Sequence, residues 1–396
     1  MKAVILAAGE GARMGPFTAS EPKVMIPIGN RPILEHVIEA CVGAGIRDIL
    51  VVVGYRRERI MNHFEDGGAF DARVEYVTQG KQLGTAHALA SAQGKVVGGM
   101  LVLPGDNLID AALLTGFLGQ ASGTSLLISE SDTPGKYGVV EVRDGKLQRL
   151  VEKPRQASGN LVSTGIYTFP QSIFDALAAS IQRGRHDLTD VLEDLLLREP
   201  VHAVFASGTW IDAAHPWDLL TANASALVGL HEGKAGTIEK GVTIRGKVSI
   251  GDGSTLRAGT YIQGPVAIGE GCDIGPNAVL LPSTSLGADV RLGAFTVVEN
   301  SLLMDSVVLG HHSLLQNCVV GEGVKAAAGL NAASGKADVE MEGEWHRLAA
   351  IGGMLGEDAE IGPGVVVEPG TTLGTRCQVR AGARVRGKVP SGTTVM

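Results

Sequence analysis

The chain has 396 residues, 44% of them apolar, and a formal net charge of −8. That length suits two domains, and the charge, with no basic run to offset it, excludes non-specific binding to nucleic acid. No apolar stretch reaches the roughly eighteen residues of a membrane span; Cys41, Cys272, Cys318 and Cys377 lie far apart with no CxxC pair, which gives neither a zinc site nor a disulfide framework, so a soluble, cytoplasmic protein with no membrane partner is expected.

In chain order, the first element is a short apolar strand, KAVILAA, which opens a loop crowded with Gly9, Gly11 and Gly15. Arg13 sits among these glycines, and Lys23 follows between Pro22 and Pro27. The N–H groups of a glycine-rich turn after a strand can cradle phosphate. The spacing is not GxGxxG, because the third glycine is one residue late, and no GK[ST] follows to make a Walker loop. PILEHVIEACVGAG reads as a helix, DILVVVGY and VEYVTQ as strands, TAHALASAQG as a helix, and GMLVLPGD and TSLLIS as strands. LTDVLEDLLLRE carries the amphipathic stripe Leu188, Val191, Leu192, Leu195 and Leu196. This alternation predicts an α/β, Rossmann-like domain over residues 1–228 with a mainly parallel sheet. Ligands of such sheets bind beyond the carboxyl ends of the strands, where the glycine loop lies.

After about residue 235 the period changes. Aliphatic residues recur every six positions, at Ile238, Ile244, Ile250, Leu256, Ile262, Ile268, Ile274, Leu280, Leu286, Leu292, Val298 and, at the same step, Met304. The beat shifts by two at Leu302, Val308, Leu314 and Val320 and returns at Ile361, Val367, Leu373, Val379 and Val385. A hexapeptide period predicts an all-β parallel β-helix over 235–396, three hexads to a coil, with the aliphatic residues inside the prism. Residues near 326–356, which hold Trp345 and His346, lack the beat and read as an insertion.

LAAGEGARM followed by EPKVMIPIGNRPILEH resembles the signature of the sugar-1-phosphate nucleotidyltransferases, with Ala12 where threonine is usual. VTQGKQLGTAHAL, LVLPGDNLID, KYGVVEV, LVEKP, STGIYTF and GTWIDAAHPWDLL continue the resemblance in the family's order. The hexapeptide tail resembles left-handed β-helix acyltransferases, which implies a homo-oligomer, a trimer or a multiple of it. The whole chain resembles the archaeal-type bifunctional N-acetylglucosamine-1-phosphate uridylyltransferase and glucosamine-1-phosphate acetyltransferase family.

That resemblance implies attack of a sugar-1-phosphate oxygen on the α-phosphorus of a nucleoside triphosphate, with UMP or dTMP transferred and pyrophosphate released. Both reactants are anions, and Arg13, forked, and Lys23, a point charge, suit their neutralisation. The family places Arg13 on the triphosphate and Lys23 at the reacting centre. Asp106 and Asp212 each close an apolar run, LVLPG and TWI, and the family makes both ligands of Mg2+. Ala7, Ala8 and Gly9 are expected along the nucleotide, with Gln79, Gly84 and Thr85 at the base. A glutamine amide matches a pyrimidine edge, and Gly84 would let the base approach the backbone. Gly138, Glu152, Lys153 and Ser163 are expected at the sugar, either N-acetylglucosamine-1-phosphate or glucose-1-phosphate. Ser163 stands where N-acetylglucosamine enzymes often carry asparagine.

In the tail, resemblance to the hexapeptide acetyltransferases puts His311 at the position of their base. Leu314 stands where they carry tyrosine, and KAAAGLNAASGK, with Asn331 and Lys336, is shorter than their corresponding segment. Acetyl-CoA is a cofactor only if that second activity is retained. The alternatives weighed are the bifunctional enzyme, a mannose-1-phosphate guanylyltransferase, and a non-catalytic regulatory subunit. Regulatory subunits tend to lose the phosphate-binding cations or metal aspartates, and Arg13, Lys23, Asp106 and Asp212 are all present.

Overall fold

The computed structural model describes residues 1–156 and 158–396. They form two compact units, Met1–Glu10 with Ile33–Ile211, and Gly11–Pro32 with Asp212–Met396. The packing units therefore cross the expected boundary at 228. The signature loop from Gly11 to Pro32 and the helix Asp218–Val228 group with the hexapeptide region.

The first unit is built on one twisted sheet. Its strands run in the order Arg73–Thr78, Asp48–Val53, Lys2–Ala7, Met100–Pro104, Leu161–Phe169, Ser125–Glu130, His202–Phe205, Lys146–Glu152, Gly138–Arg143. The first four are mutually parallel and carry fully buried aliphatic residues such as Val4, Leu50 and Val102, as parallel strands covered on both faces do. From Leu161–Phe169 onward only Ser125–Glu130 and His202–Phe205 run parallel, and the other pairings are antiparallel. The sheet is thus mixed, which corrects the expectation of a mainly parallel one. Alternating strands and helices identify an α/β layer but do not fix the direction of strands joined by tight turns, as at Gly138–Arg143 and Lys146–Glu152. The helix Leu188–Leu196 buries Leu188, Val191, Leu192 and Leu195, and Asp187 closes its amino end in a capping box with Asp190.

The second unit is a left-handed parallel β-helix of three sheets, with nine, nine and eight strands among the described residues. The inward residues fill one continuous core, which includes Ile250, Leu256, Ile262, Ile268, Ile274, Leu280, Leu286, Leu292 and Val298. Ile238, on the terminal coil, is 40% exposed. The phase read for the middle coils needs correction. The core receives Leu303, Leu309 and Leu315, not Met304, Leu302, Val308 or Leu314, and it does receive Val320. Leu286 pairs with Leu303 and Leu303 with Val320, so these coils are one residue shorter than the eighteen-residue coils before them. The shortened corners carry Asn300 and Asn317 in the left-handed backbone region. Their side chains form a ladder, Asn300 donating to Asn317 at 2.5 Å and Asn317 to Ser334 at 2.6 Å.

The interruption is also narrower than 326–356. Lys325–Ala326 and Asn331–Ala332 keep their places in the coils. The inserted element is an antiparallel hairpin, Gly335–Met341 with Glu344–Ile351.

Outside the prism, Ser285, Leu302 and Val319 are fully buried although they point away from the core, and Asp218–Val228 packs on this face. Asn223 of that helix donates to the Ser283 carbonyl at 2.9 Å and accepts from the Ser285 hydroxyl at 2.6 Å. It also accepts the Gly29 N–H at 2.8 Å. Gly29 and Asn30, at φ 57° and 63°, form the tight turn between Pro27–Ile28 and Arg31–Pro32. Asn30 donates to the Leu286 carbonyl at 2.7 Å, which fastens the signature loop to the β-helix. Among the described residues no helix is long and apolar enough to cross a membrane.

Candidate active site

In the first unit, the Lys2–Ala7 strand delivers Ala7, Ala8 and Gly9 to its carboxyl end. The Ala8 carbonyl accepts the Tyr55 N–H at 3.2 Å and the Gln82 side-chain amide at 2.7 Å. A Cβ on Gly54 would come within 2.6 Å of the same oxygen, so Gly54 and Gln82 fix the path of the loop. Nothing among the described residues lies within 4 Å of a Cβ built on Gly9. At the neighbouring Met100–Pro104 strand, the Gly105 N–H donates to the Leu6 carbonyl at 3.0 Å. Half-buried Asp106 therefore follows directly at the carboxyl end of the sheet. Asp110 is structural: it caps the helix Ala111–Leu118 through the Leu113 N–H and also accepts the Thr209 N–H.

Gln79, Gly84 and Thr85 do come together, but around the chain's own backbone. Buried Gln79 donates to the Gly84 carbonyl at 3.2 Å and faces the His87 Nδ1 at 2.9 Å. Gly84 has φ 149°, and a Cβ there would lie 2.5 Å from the His186 carbonyl oxygen. The His186 carbonyl therefore by itself requires glycine at this position. The Thr85 hydroxyl accepts the Leu188 N–H at 2.8 Å and is likewise committed to the start of a helix.

Three of the expected sugar residues converge. Glu152 pairs with Gly138 across adjacent strands. A Cβ on Gly138 would lie 2.9 Å from Leu150 Cδ1, 3.2 Å from a Glu152 carboxylate oxygen and 3.6 Å from Ser163 Cβ. Ser163 is buried, with its hydroxyl 3.3 Å from that of Tyr167 and accepting the Gly165 N–H at 3.3 Å. Burial pushes the Tyr167 phenol up to about 12, so it remains a neutral hydrogen-bonding group. Lys153 holds φ 41°, an uncommon backbone for a lysine, and its ammonium lies 3.9 Å from Glu152.

Arg13, Lys23 and Asp212 belong to the second unit. Arg13 sits in the single turn Ala12–Met14, with its Nε 3.5 Å from a carboxylate oxygen of Glu342. Lys23 opens the turn Lys23–Met25 after extended Pro22. Gly11, at φ 74°, lies beneath it, and a Cβ there would fall 2.5 Å from Lys23 Cβ. The lysine stem therefore crosses the glycine loop through a gap that only glycine leaves. After half-buried Asp212, the His215 ring stacks on Trp217 at 4.6 Å, and the His215 backbone N–H donates to the Asp218 carboxylate at 2.8 Å. Sequence reasoning missed Gly54 and the His215–Trp217 stack. The HPW tripeptide was the available signal for the stack.

The expected metal donors, Asp106 and Asp212, are two carboxylates. Among the described residues no group of three or more His, Cys, Asp or Glu side chains gathers into a cage. An all-oxygen pair fits a hard cation such as Mg2+, which keeps phosphate and water among its ligands.

On the β-helix, His311 lies at an exposed corner, and its Nδ1 accepts the Ala294 N–H at 2.8 Å. His312 stacks on Phe295 at 5.1 Å.

Residues 2–228 match the nucleotidyl transferase family, 262–331 the GMPPB C-terminal domain, and 353–387 the bacterial transferase hexapeptide family. The chain is 34% identical over 392 residues to the bifunctional protein GlmU of Methanococcus maripaludis, covering 96% of this chain and 93% of that protein. It is 31% identical to the bifunctional sugar-1-phosphate nucleotidylyltransferase/acetyltransferase of Sulfurisphaera tokodaii, covering 99% of each. A solved Bacillus anthracis structure, described as a glucose-1-phosphate thymidylyltransferase in complex with a sucrose, superposes with a TM-score of 0.54 at 29% identity. It covers 59% of this chain and 98% of that one.

Proposed function

The chain belongs to the nucleotidyl transferase family, and from that membership we propose that it transfers UMP or dTMP from the nucleoside triphosphate to N-acetylglucosamine-1-phosphate or glucose-1-phosphate, releasing pyrophosphate. The observation that carries this reading is the similarity, over 99% of both chains, to a protein named as a sugar-1-phosphate nucleotidylyltransferase. Arg13 binds the triphosphate, and Lys23 places its ammonium where charge builds on the α-phosphate as the leaving pyrophosphate departs. Preorganisation supports the second role: Gly11 and Pro22 hold the lysine stem on a fixed path.

Asp106 and Asp212 would hold Mg2+, whose charge would supply neutralisation of the phosphate oxygens during in-line attack. Ala7, Ala8 and Gly9 line the nucleotide. Gln79, Gly84 and Thr85 line the base, with Gln79 also fixing the Gly84 turn and Thr85 joining that turn to the helix that starts at Leu188. Glu152 accepts hydrogen bonds from sugar hydroxyls, Gly138 leaves its carboxylate room, Ser163 closes the pocket, and Lys153 approaches the sugar phosphate. The β-helix associates along its flanks into a trimer or a multiple of one.

A second reading, acetylation of glucosamine-1-phosphate by acetyl-CoA, is favoured by the bifunctional names of the relatives. Leu314, where the hexapeptide acetyltransferases carry tyrosine, and the short KAAAGLNAASGK segment weigh against it. One matrix tests both: UTP, dTTP and GTP against the sugar-1-phosphates, read as pyrophosphate, beside glucosamine-1-phosphate with acetyl-CoA, read as free thiol. The account expects pyrophosphate with UTP or dTTP and little thiol. Pyrophosphate with GTP alone would overturn the donor assignment, and rapid thiol release would restore the second activity.

A further inference from the structure

The inserted hairpin belongs to the β-helix by sequence, yet its tip meets the signature loop. Glu342 occupies the tight turn, at φ 52° followed by Gly343 at φ 83°, and its carboxylate sits 3.5 Å from the Arg13 Nε. Two contacts fix the hairpin there. At its base, a Cβ on Gly370 would fall 2.6 Å from Ala337 and 2.9 Å from Val339, so one strand rests directly on the coil. On the other strand, the His346 ring lies 4.7 Å from His215 and 5.2 Å from Trp217, just after Asp212. Val339 and Met341 are buried, while Trp345 is 73% exposed, so the hairpin has a packed face and an open one.

We propose that Glu342 is an internal anionic competitor for Arg13, a latch that an incoming nucleoside triphosphate must displace. The inference rests on the reading that Arg13 binds the triphosphate. A carboxylate that merely oriented Arg13 would engage it through well-aligned, fork-to-fork hydrogen bonds. Here the nearest approach is 3.5 Å, with side chains 46% and 54% exposed. Such a pair is weak enough to be exchanged for a polyanion by side-chain rotation alone. Meanwhile its negative charge lies where a triphosphate must bring several more. The docked hairpin keeps that charge in place, and Arg13→Ala and Glu342→Gln both alter half-exposed side chains outside the core.

The test is steady-state pyrophosphate release by the full chain with UTP, or with dTTP if that is the faster donor. Glu342→Gln is expected to lower KM for the triphosphate about two- to five-fold with kcat held within about two-fold, the range of an exposed ion pair. The gain should shrink when salt is raised from about 0.05 to 0.5 M, because exposed charges are screened. Arg13→Ala should raise KM, and in that background Glu342→Gln should have no further effect. An unchanged or raised KM in Glu342→Gln would overturn the latch, as would a gain that persists undiminished without Arg13. If Arg13→Ala itself leaves KM and kcat at wild-type values, the failure lies in the assignment of Arg13 to the triphosphate.

Discussion

Lys23 owes its position to Gly11, whose missing Cβ leaves the gap the lysine stem occupies. Lys23→Ala should lower turnover about 100-fold or more at saturating substrate, because a preorganised charge at the reacting centre is lost. Circular dichroism should be unchanged. Near-wild-type turnover would remove Lys23 from the mechanism. Gly138 makes a similar case at the proposed sugar site. An added methyl there meets Leu150 and the Glu152 carboxylate and must push the carboxylate aside. Gly138→Ala should cut kcat/KM for the sugar-1-phosphate roughly ten-fold, since sub-ångström displacement of a positioning group is costly, while KM for the triphosphate holds. Equal losses for both substrates would contradict the assignment. At this scale the sequence marked special glycines without revealing the neighbours that constrain them. Gly84 was legible as a special position, whereas its partner, the His186 carbonyl, lies a hundred residues away and leaves no local trace. Gly54 was silent for the same reason.

The elements were legible wherever one period dominated. The six-residue beat located the coils, and the amphipathic stripe located Leu188–Leu196. Phase failed at Leu302–Leu303, Val308–Leu309 and Leu314–Leu315, where two aliphatic residues stand side by side and either could point inward. The choice is made by the corners at Asn300 and Asn317, each one residue short. Leu302 is buried as well because Asp218–Val228 covers its face, so burial of both neighbours is real and not an error of pattern. That helix also carries the joint between loop and prism. Asn223 is fully buried and serves Gly29, Ser283 and Ser285 at once. Asn223→Ala should destabilise the protein by about 2–3 kcal/mol, because buried partners are left unsatisfied. It should also weaken triphosphate binding, because the Gly29 turn anchors the segment that carries Arg13. A melting temperature within a degree of wild type would refute this.

Across the whole molecule, the two sequence periods and the two packing units do not coincide. Residues 11–32 read as part of the α/β half, yet they pack with the β-helix. The contact of Asn30 with Leu286 spans 256 positions, beyond what any window of sequence can reveal. The β-helix is therefore part of the support of the signature loop, and activity is best measured on the full chain. The most direct measurement follows the α-phosphoryl group itself. Purified full-length protein, Mg2+ and UTP or dTTP labelled at the α-phosphorus are incubated with and without each sugar-1-phosphate, and products are separated. The account predicts that the label moves into a nucleotide sugar only when sugar-1-phosphate is present, with one unlabelled pyrophosphate formed per transfer. Label remaining in the triphosphate with every acceptor, or appearing as free nucleoside monophosphate without one, would contradict it.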